Sequence, residues 1–251
     1  MVALFISDLH LQPALPRTTE MFFDFLEQRA VHAERLYLLG DIFEFWAGDD
    51  DIDAPYNRSI VDALQRTSAR GVQLFWIAGN RDFLAGTAFA AATGLTLLDD
   101  PHVIELAGLA ITLAHGDAQC TDDIAYMAFR AQVRQPAAQQ QFLAMPMQQR
   151  KAIVESVRKN SQDASKEKSS EIMDVNADAI NALFESTGTP ILIHGHTHRP
   201  ALHVDHSHAT PRLRYVLPDW EYDVTPARGG WISLSADGQL QRFDATGKAL
   251  S

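Results

Sequence analysis

Five short apolar runs rich in Leu, Ile and Val recur along the chain, and each is too short to form a typical helix. Continuous apolar runs of this length are typical of strands that are covered on both faces of a sheet. They span Val2–Ser7, Arg35–Leu39, Val72–Ala78, Leu109–Ala114 and Pro190–Ile193. The pattern therefore predicts five buried strands.

Apolar residues with helical spacing separate the first three of these runs. The first set comprises Met21, Phe22, Phe25 and Leu26, and the second comprises Ile60, Val61 and Leu64. Gly71 then ends the second helix, because glycine suits the position that follows a helix. Strands that alternate with helices predict an α/β fold whose sheet contains parallel pairs.

Two further segments predict antiparallel hairpins. Val103–Leu106 leads through Ala107-Gly108 into the fourth apolar run, and Trp231–Ser235 leads through Asp237-Gly238 into Leu240–Phe243. A short glycine-containing turn between two strand-like segments is a hairpin signal. Parallel and antiparallel strands together predict a two-sheet α/β sandwich flanked by helices.

Residues 121–185 have a helical pattern without a strand, which Pro136 and Pro146 break into pieces. Within this segment, residues 125–170 carry 8 basic and 3 acidic side chains. A basic helical block between two strands favours a cap or a binding surface. We predict a single domain over residues 1–251 in which 121–185 form a helical cap insertion.

Charge is distributed unevenly along the chain. The sequence has 21 Lys and Arg against 32 Asp and Glu, a formal net charge of −11. Because residues 125–170 contribute +5, the remainder carries −16. An acidic body repels phosphate backbones, so general nucleic-acid binding is disfavoured.

Several features indicate a globular protein of a reducing compartment. The apolar share of 46% and the charged share of 21% are ordinary for a globular domain. Cys120 is the single cysteine, so no disulfide can form within the chain. The first residues lack the basic start and long apolar stretch of a signal peptide, and no run of 18 apolar residues could span a bilayer. We therefore predict a cytoplasmic protein.

Side chains of the kinds that bind metal ions follow each of the five predicted strands. Asp8-Leu9-His10 follows the first, Gly40-Asp41 the second, Gly79-Asn80-Arg81-Asp82 the third, His115-Gly116-Asp117 the fourth and His194-Gly195-His196-Thr197-His198 the fifth. In open α/β sheets, ligands bind outside the carboxyl ends of the strands. We therefore expect these side chains to meet in one crevice.

The chemistry of this set favours a pair of divalent metal ions. Carboxylate and amide oxygens with imidazole nitrogens suit Mn²⁺, Fe²⁺ or Zn²⁺. The two-residue spacing of Asp8 and His10, repeated in His196 and His198, lets both members of each pair face one side of an extended segment. Two ions about 3.5–4 Å apart can hold an attacking hydroxide and the oxygens of a phosphoryl group.

These motifs, in this order over the whole chain, resemble those of the calcineurin-like metallophosphoesterases. The resemblance implies a first metal ion held by Asp8, His10, Asp41 and His198. It implies a second ion held by Asp41, Asn80, His115 and His196. Asp41 would then bridge the two ions.

Two departures from the usual pattern narrow the resemblance. Arg81 stands where most members carry a histidine after the asparagine, and Gly40-Asp41 is not followed by a second Asp and an Arg. Both variants are similar to the UDP-2,3-diacylglucosamine hydrolases of lipid A biosynthesis. Further segments similar to that family are Gly79-Asn80-Arg81-Asp82-Phe83-Leu84, Cys120-Thr121-Asp122-Asp123, Ile172-Met173-Asp174-Val175-Asn176 and His194–Pro200.

This second resemblance implies a reaction and its residues. The diphosphate of UDP-2,3-diacylglucosamine would be hydrolysed to 2,3-diacylglucosamine 1-phosphate and UMP by a hydroxide activated by two divalent ions, Mn²⁺ in that family. The catalytic residues implied are Asp41, Asn80, Arg81, His115 and His196. The substrate contacts implied are Asn80, Arg81, Asp123, Tyr126, Ser161, Ser165, Lys168 and His196.

A substrate with two acyl chains needs an apolar groove beside a phosphate-binding rim. Candidate apolar faces of the cap are Ala125, Phe129 and Val133 on one helix and Ile153, Val154 and Val157 on another. The basic cap also suits anionic lipid, so we expect peripheral contact with the cytoplasmic face of the inner membrane. No nucleic acid or protein partner is indicated.

Two other functions are alternatives to the lipid hydrolase. A metallophosphoesterase for soluble nucleotides would need no lipid groove, so the long helical insert disfavours it. A non-catalytic scaffold of the same fold would have lost metal ligands, whereas all seven are intact here.

The remaining polar and aromatic motifs are interpreted structurally. Asp49-Asp50-Asp51 lacks the glycine of a calcium-binding loop and is predicted to be a polar turn. The surface histidines are expected to be His203, His206 and His208, and the packing tryptophans near the crevice Trp46 and Trp220.

Overall fold

The computed structural model describes residues 1–167 and 174–250, with side chains over 1–157 and 174–250. The strands are β1 (Ala3–Ile6), β2 (Arg35–Leu38), β3 (Gln73–Ile77), β4 (Thr96–Leu98), β5 (His102–Leu106), β6 (Leu109–Ala114), β7 (Ile191–His194), β8 (Ala201–Asp205), β9 (Arg212–Val216), β10 (Gly230–Leu234), β11 (Leu240–Asp244) and β12 (Ala249–Leu250). The helices are α1 (Pro16–Gln28), α2 (Pro55–Ala69), α3 (Thr87–Thr93), α4 (Ile124–Val133), α5 (Pro136–Leu143), α6 (Met147–Glu167) and α7 (Ala177–Thr187).

Two mixed sheets form the body of the molecule. The first has the order β12-β11-β10-β1-β2-β3-β4, and the second has the order β5-β6-β7-β9-β8. In the first sheet β1, β2, β3 and β4 are parallel, while β10 joins β1 antiparallel with Phe5 opposite Ile232. In the second sheet β6, β7 and β9 are parallel. The predicted two-sheet α/β class is therefore confirmed.

Alternation along β1 explains why its sequence is apolar throughout. Ala3 and Phe5 belong to the core between the sheets, whereas Leu4 and Ile6 belong to the core beneath α1 and α2. Because both faces of the strand are covered, successive side chains are all buried. In the inter-sheet core, the ring of Tyr37 stacks on Phe5 at 5.1 Å and on Phe75 at 4.8 Å between ring centroids.

All five predicted strands and both hairpins are present, each within one or two residues of its predicted bounds. The structure adds four strands that the apolar pattern does not reveal: β4, β8, β9 and β12. β4 has three residues and β12 has two, which is too short for a periodic pattern. β8 lies at a sheet edge with Leu202 and Val204 exposed, so burial does not dictate its sequence.

Between β6 and β7 the described residues contain the helices α4 to α7 and no strand, as the pattern predicts. Of these helices, α7 lies against the second sheet, where Ile180, Leu183 and Phe184 pack on Ala114 and Leu192. The helices α4 to α6 instead carry exposed apolar side chains. The cap boundaries of 121–185 remain a prediction.

The predicted polar turn at Asp49–Asp51 is a short 3-10 helix whose carboxylates have structural partners. Asp49 accepts hydrogen bonds from the backbone amides of Gly86, Ala88 and Phe89, and so caps α3. Asp50 pairs with Arg150 of α6, a guanidinium that is only 2% exposed and also donates to the carbonyl oxygen of Ala47 at 2.6 Å. The segment after β2 therefore holds the N-terminal end of α6.

The structural interpretations of the aromatic and surface residues agree with their burial. Trp46 and Trp220 are buried in the core beneath the first sheet. His203, His206 and His208 are exposed. Over residues 1–167 and 174–250, no helix has the length and apolar character needed to cross a membrane.

Candidate metal centre

The predicted ligand residues lie in the loops at the carboxyl ends of five strands from both sheets. The loop after β1 carries Asp8 and His10, that after β2 carries Asp41, and that after β3 carries Asn80. The second sheet contributes His115 after β6, and His196 and His198 after β7. Packing the two sheets face to face brings these ends to one edge of the sandwich.

Six of these residues form two compact groups. In each group, one potential ligand atom per residue lies within 4.8 Å of the others. The first group comprises Asp8, His10 and His198, and the second comprises Asp41, His115 and His196. Asn80 adds its amide to the second group, since its Oδ1 is 2.9 Å from Nε2 of His115. The predicted set of seven therefore converges.

The backbone at these residues is unusual. Among the described residues, six that are not glycine have a positive φ, and five of them belong to the two groups: Asp8, His10, Asp41, His196 and His198. The left-handed region costs an L-residue about 1–2 kcal/mol, and such strain concentrates at functional sites. The fold therefore holds these side chains in place against the local preference of the backbone.

Two glycines permit the close approach of these loops. A Cβ atom built on Gly79 would lie 2.2 Å from Oδ1 of Asp41. One built on Gly195 would lie 2.2 Å from Oδ2 of Asp8. Any side chain at either position would displace a ligand carboxylate.

The buried carboxylate of Asp82 ties the loops after β2 and β3 together. It accepts hydrogen bonds from the backbone amides of Gly79 and Ile42, both at 2.8 Å, and of Asp41 at 3.3 Å. Burial and the charge of Asp41 raise the pKa of Asp82 to about 6. Asp82 therefore positions Asp41 although it belongs to neither ligand group.

The two oxygens of Asp8 have different surroundings. Oδ2 accepts hydrogen bonds from Oγ of Ser7 at 2.6 Å and from the backbone amide of His196 at 2.8 Å. Oδ1 is buried and lies 3.5 Å from Nε2 of His198, which is longer than an ordinary hydrogen bond. In the same group, Nε2 of His10 is 3.2 Å from Nε2 of His198. Two imidazole nitrogens and a carboxylate oxygen thus converge on one point, the arrangement that a divalent cation requires.

Acceptor oxygens lie beside Nδ1 of three of the imidazoles. Nδ1 of His10 lies 3.1 Å from Oε2 of Glu44, and Nδ1 of His115 lies 2.9 Å from the carbonyl oxygen of Leu39. Nδ1 of His198 lies 3.8 Å from Oδ2 of Asp219. Each contact leaves Nε2 directed at the ligand group, as is usual for metal-binding histidines.

The electrostatics of the second group are mixed. Burial disfavours the charged form of His115, but the negative charges of Asp41 and Asp117 outweigh it and raise its pKa to about 9. Burial and the positive charge of His115 lower the pKa of His196 to about 4. Because an imidazole must be deprotonated to bind a metal, metal binding at His115 would release a proton.

His194 shares the motif of His196 and His198 but lies outside both groups. Its Nδ1 donates to the carbonyl oxygen of Gly195 at 2.9 Å, and its Nε2 is 3.2 Å from Nη1 of Arg214. Burial lowers the pKa of His194 to about 3, which keeps the ring neutral and able to accept from Arg214. Its role is structural.

A buried carboxylate holds the helix α4 beside the second group. Asp117 accepts hydrogen bonds from the hydroxyl of Tyr126 and from Nε of Arg130, both at 2.7 Å. The ring of Tyr126 stacks against His196 with centroids 6.0 Å apart. Arg134 donates to the carbonyl oxygen of Gly79 at 2.8 Å. The helix α4 therefore borders the metal centre directly.

The structure describes the side chains of some predicted substrate contacts but not of others. Tyr126 borders the second group, and Asp123 caps α4 by accepting from the amide of Tyr126 at 3.1 Å. Arg81 donates its backbone amide to Oδ1 of Asp41 at 2.8 Å. Ser161 and Ser165 fall in the part of α6 after residue 157, where side chains are not described, and Lys168 lies outside the described residues.

The sequence did not indicate a supporting role for four carboxylates beside the centre, namely Glu44, Asp82, Asp117 and Asp219. Asp82 and Asp117 lie within the strand-end motifs, and their proximity to the ligands was the available signal. Glu44 and Asp219 follow no comparable pattern. Their roles depend on loop packing that only the structure reveals.

Comparison with known proteins places the chain in a family. The profile of the family described as Calcineurin-like phosphoesterase matches residues 1–200. The chain therefore belongs to the calcineurin-like phosphoesterases, which agrees with the two-sheet fold and the paired ligand groups. Divalent metal ions and a metal-dependent hydrolase activity follow from this membership and from the ligand set.

Within this family, the chain is similar over most of its length to two proteins that share one name. The chain is 47% identical to the UDP-2,3-diacylglucosamine hydrolase of Chromohalobacter salexigens over 245 residues, which is 97% of this chain and 98% of that protein. It is 48% identical to the UDP-2,3-diacylglucosamine hydrolase of Aromatoleum aromaticum over 224 residues, which is 89% of this chain and 91% of that protein. Among solved structures, a dimetal phosphatase from Danio rerio shares the fold at 13% identity and a TM-score of 0.50, covering 96% of this chain and 95% of that chain.

Metal addition should stabilise the folded protein through these groups. With Mn²⁺ at about 100 times its Kd, stabilisation by about 2.7 kcal/mol should raise the Tm of the metal-free protein by about 5–10 °C. Differential scanning calorimetry with and without Mn²⁺ measures this shift.

The matched variants are Asp41→Ala, which removes the carboxylate of the second group, and Asp53→Ala, whose side chain is 92% exposed. Asp53→Ala should keep the full shift and Asp41→Ala should lose most of it. Equal shifts in the two variants would contradict metal binding at these groups.

Proposed function

We propose that the chain hydrolyses the diphosphate of UDP-2,3-diacylglucosamine, releasing 2,3-diacylglucosamine 1-phosphate and UMP in lipid A biosynthesis. The observation that carries the proposal is the convergence of two ligand groups from five strand ends beneath a helical segment. The choice of substrate is supported by the two relatives of 47% and 48% identity, because each is named UDP-2,3-diacylglucosamine hydrolase.

The ligand set fits two Mn²⁺ ions. Asp8, His10, Asp41 and His198 would hold one ion, and Asp41, Asn80, His115 and His196 the other, with Asp41 shared. When bound, the ions polarise the phosphoryl oxygens and lower the pKa of water so that hydroxide forms at neutral pH. Oxygen and imidazole ligands without a thiolate suit Mn²⁺.

Arg81 is suited to hold the phosphoryl oxygens of the substrate. Its backbone amide donates a hydrogen bond to Asp41, so Arg81 is adjacent to the second ligand group. The buried Nε of Arg81 has no hydrogen-bond partner among the described residues. A guanidinium stays charged at any working pH and can bind two phosphate oxygens at once.

The chemistry of the leaving group explains why Arg81 can replace the usual histidine. Cleavage of a diphosphate releases a phosphate ester, which is already a stable anion. Protonation by a general acid therefore contributes less than it does for an alkoxide leaving group. Orientation and charge neutralisation are the tasks that remain, and Arg81 can perform both.

The cap supplies the surface for the rest of the substrate. Exposed apolar side chains on α4 to α6 include Ile124, Phe129, Leu143, Ile153 and Val157. These side chains suit acyl chains, and their exposure in a helical segment beside the metal centre supports a lipid substrate. Tyr126 and Asp123 at the start of α4 would contact the sugar phosphate, with Ser161, Ser165 and Lys168 completing the contacts.

We further propose that the protein acts at the cytoplasmic face of the inner membrane as a peripheral protein. The basic segment 125–170 would approach anionic lipid, worth about 1 kcal/mol per well-placed Lys or Arg. The acidic remainder of the chain would face away from the membrane.

Substrate choice separates this proposal from a soluble-nucleotide hydrolase. With Mn²⁺, the protein should release UMP from detergent-solubilised UDP-2,3-diacylglucosamine and act poorly on UDP-N-acetylglucosamine, since only the diacylated substrate fills the cap. Asp41→Ala should fall to the background rate while Asp53→Ala stays active. Preference for UDP-N-acetylglucosamine would overturn the proposed substrate.

Replacement of Arg81 tests its role in binding the phosphoryl group. Arg81→His should lower kcat/KM by about 100-fold, the usual cost of removing one positioned donor to a developing charge. The kcat/KM of Arg81→Lys should lie between those of the wild type and Arg81→His, because lysine keeps the charge but not the paired donors. Full activity of Arg81→His, measured by UMP release, would show that the guanidinium has no special role.

Membrane attachment should depend on salt. Vesicles containing anionic lipid should sediment the protein at low ionic strength and release it at high ionic strength, because screening weakens the attraction of the basic segment. Vesicles of neutral lipid serve as the control. Protein that stays bound after a high-salt wash would contradict electrostatic attachment.

A further inference from the structure

Glu44 is a buried carboxylate beside the first ligand group. Its residue is 7% exposed, and Oε2 lies 3.1 Å from Nδ1 of His10. A buried carboxylate needs a compensating donor or charge, and the His10 ring supplies one. The negative charge of Glu44 favours a proton on Nδ1, the ring nitrogen that faces it, and this leaves the lone pair of Nε2 free for the point that Asp8 and His198 share.

Backbone hydrogen bonds fix the distance between Glu44 and His10. His10 donates its amide to the carbonyl oxygen of Asp41 at 2.9 Å, and Leu11 donates to Ile42 at 2.8 Å. Glu44 donates back to the carbonyl oxygen of Leu11 at 3.1 Å. This short ladder holds the loops after β1 and β2 in register, so the contact between Glu44 and His10 is built into both loops.

The outer contacts of the two groups differ in charge. The acceptor beside His10 is a carboxylate, whereas the acceptor beside His115 in the second group is the neutral carbonyl oxygen of Leu39. A carboxylate increases the basicity of an imidazole ligand more than a neutral carbonyl does. Each group contains one carboxylate and two imidazoles, and the second adds the neutral amide of Asn80. With Asp41 shared, the first site would have two carboxylates and the second only one.

We propose that Glu44 is a positioning residue that fixes His10 as a metal ligand and makes the Asp8, His10 and His198 group the tighter of the two metal sites. The inference rests on the proposed metal-dependent function. It adds to that function a ranking of the two metal sites by affinity. Glu44 acts through His10 and does not itself contact the substrate.

Calorimetric titration of the metal-free full chain with Mn²⁺ tests the proposal. The wild type should bind in two steps of unequal affinity. Glu44→Ala should weaken the tighter step by about 10- to 100-fold, the usual effect of losing an outer partner of a metal ligand, and leave the weaker step unchanged. Glu44→Gln, which keeps an acceptor oxygen but loses the charge, should fall in between.

The control variant is Glu27→Gln, which changes an exposed glutamate on α1. It should titrate like the wild type. Thermal unfolding of the metal-free variants separates folding from binding. If Glu44→Gln and Glu44→Ala lower Tm but bind Mn²⁺ as tightly as the wild type, Glu44 is only structural and the inference is overturned. A wild type that binds no divalent metal would overturn the proposed function itself.

Discussion

The structure depends on holding ligand residues in a backbone conformation that they do not favour. Five members of the two ligand groups have a positive φ, at about 1–2 kcal/mol for each residue. Hydrogen bonds between loops offset this cost, from Asp8 to Gly40, from His10 to Asp41 and through the carboxylate of Asp82. The first sheet makes these bonds possible, because its parallel strands β1, β2 and β3 lie side by side and end at the same edge.

The same carboxylate chemistry attaches the helices α4 and α6 to the body formed by the two sheets. Asp117 at the end of β6 holds Tyr126 and Arg130 of α4, and Asp50 after β2 holds Arg150 of α6. Each anchor joins a carboxylate in a loop of the body to an arginine of one of these helices. The uneven charge of the sequence therefore has a structural use inside the molecule, besides the attraction to lipid that we propose. It also places α4 next to His196.

Much of the fold could be predicted from sequence, because burial on both faces makes β1, β2 and β7 continuously apolar. Edge strands such as β8 were not predicted, because a strand with an exposed face has no continuous apolar run. The ligand residues were predictable because each follows a buried strand in a short motif. The supporting residues Glu44 and Asp219 were not, because loop packing over long sequence separations sets their contacts with His10 and His198.

The central claim is that Asp41 joins two metal ions held by loops from both sheets. Crystals of the Mn²⁺-loaded protein, measured at the manganese absorption edge, locate each ion by its anomalous scattering. The account predicts two peaks about 3.5–4 Å apart, with Asp41 coordinating both. A single peak, or two peaks that do not share Asp41, would contradict it.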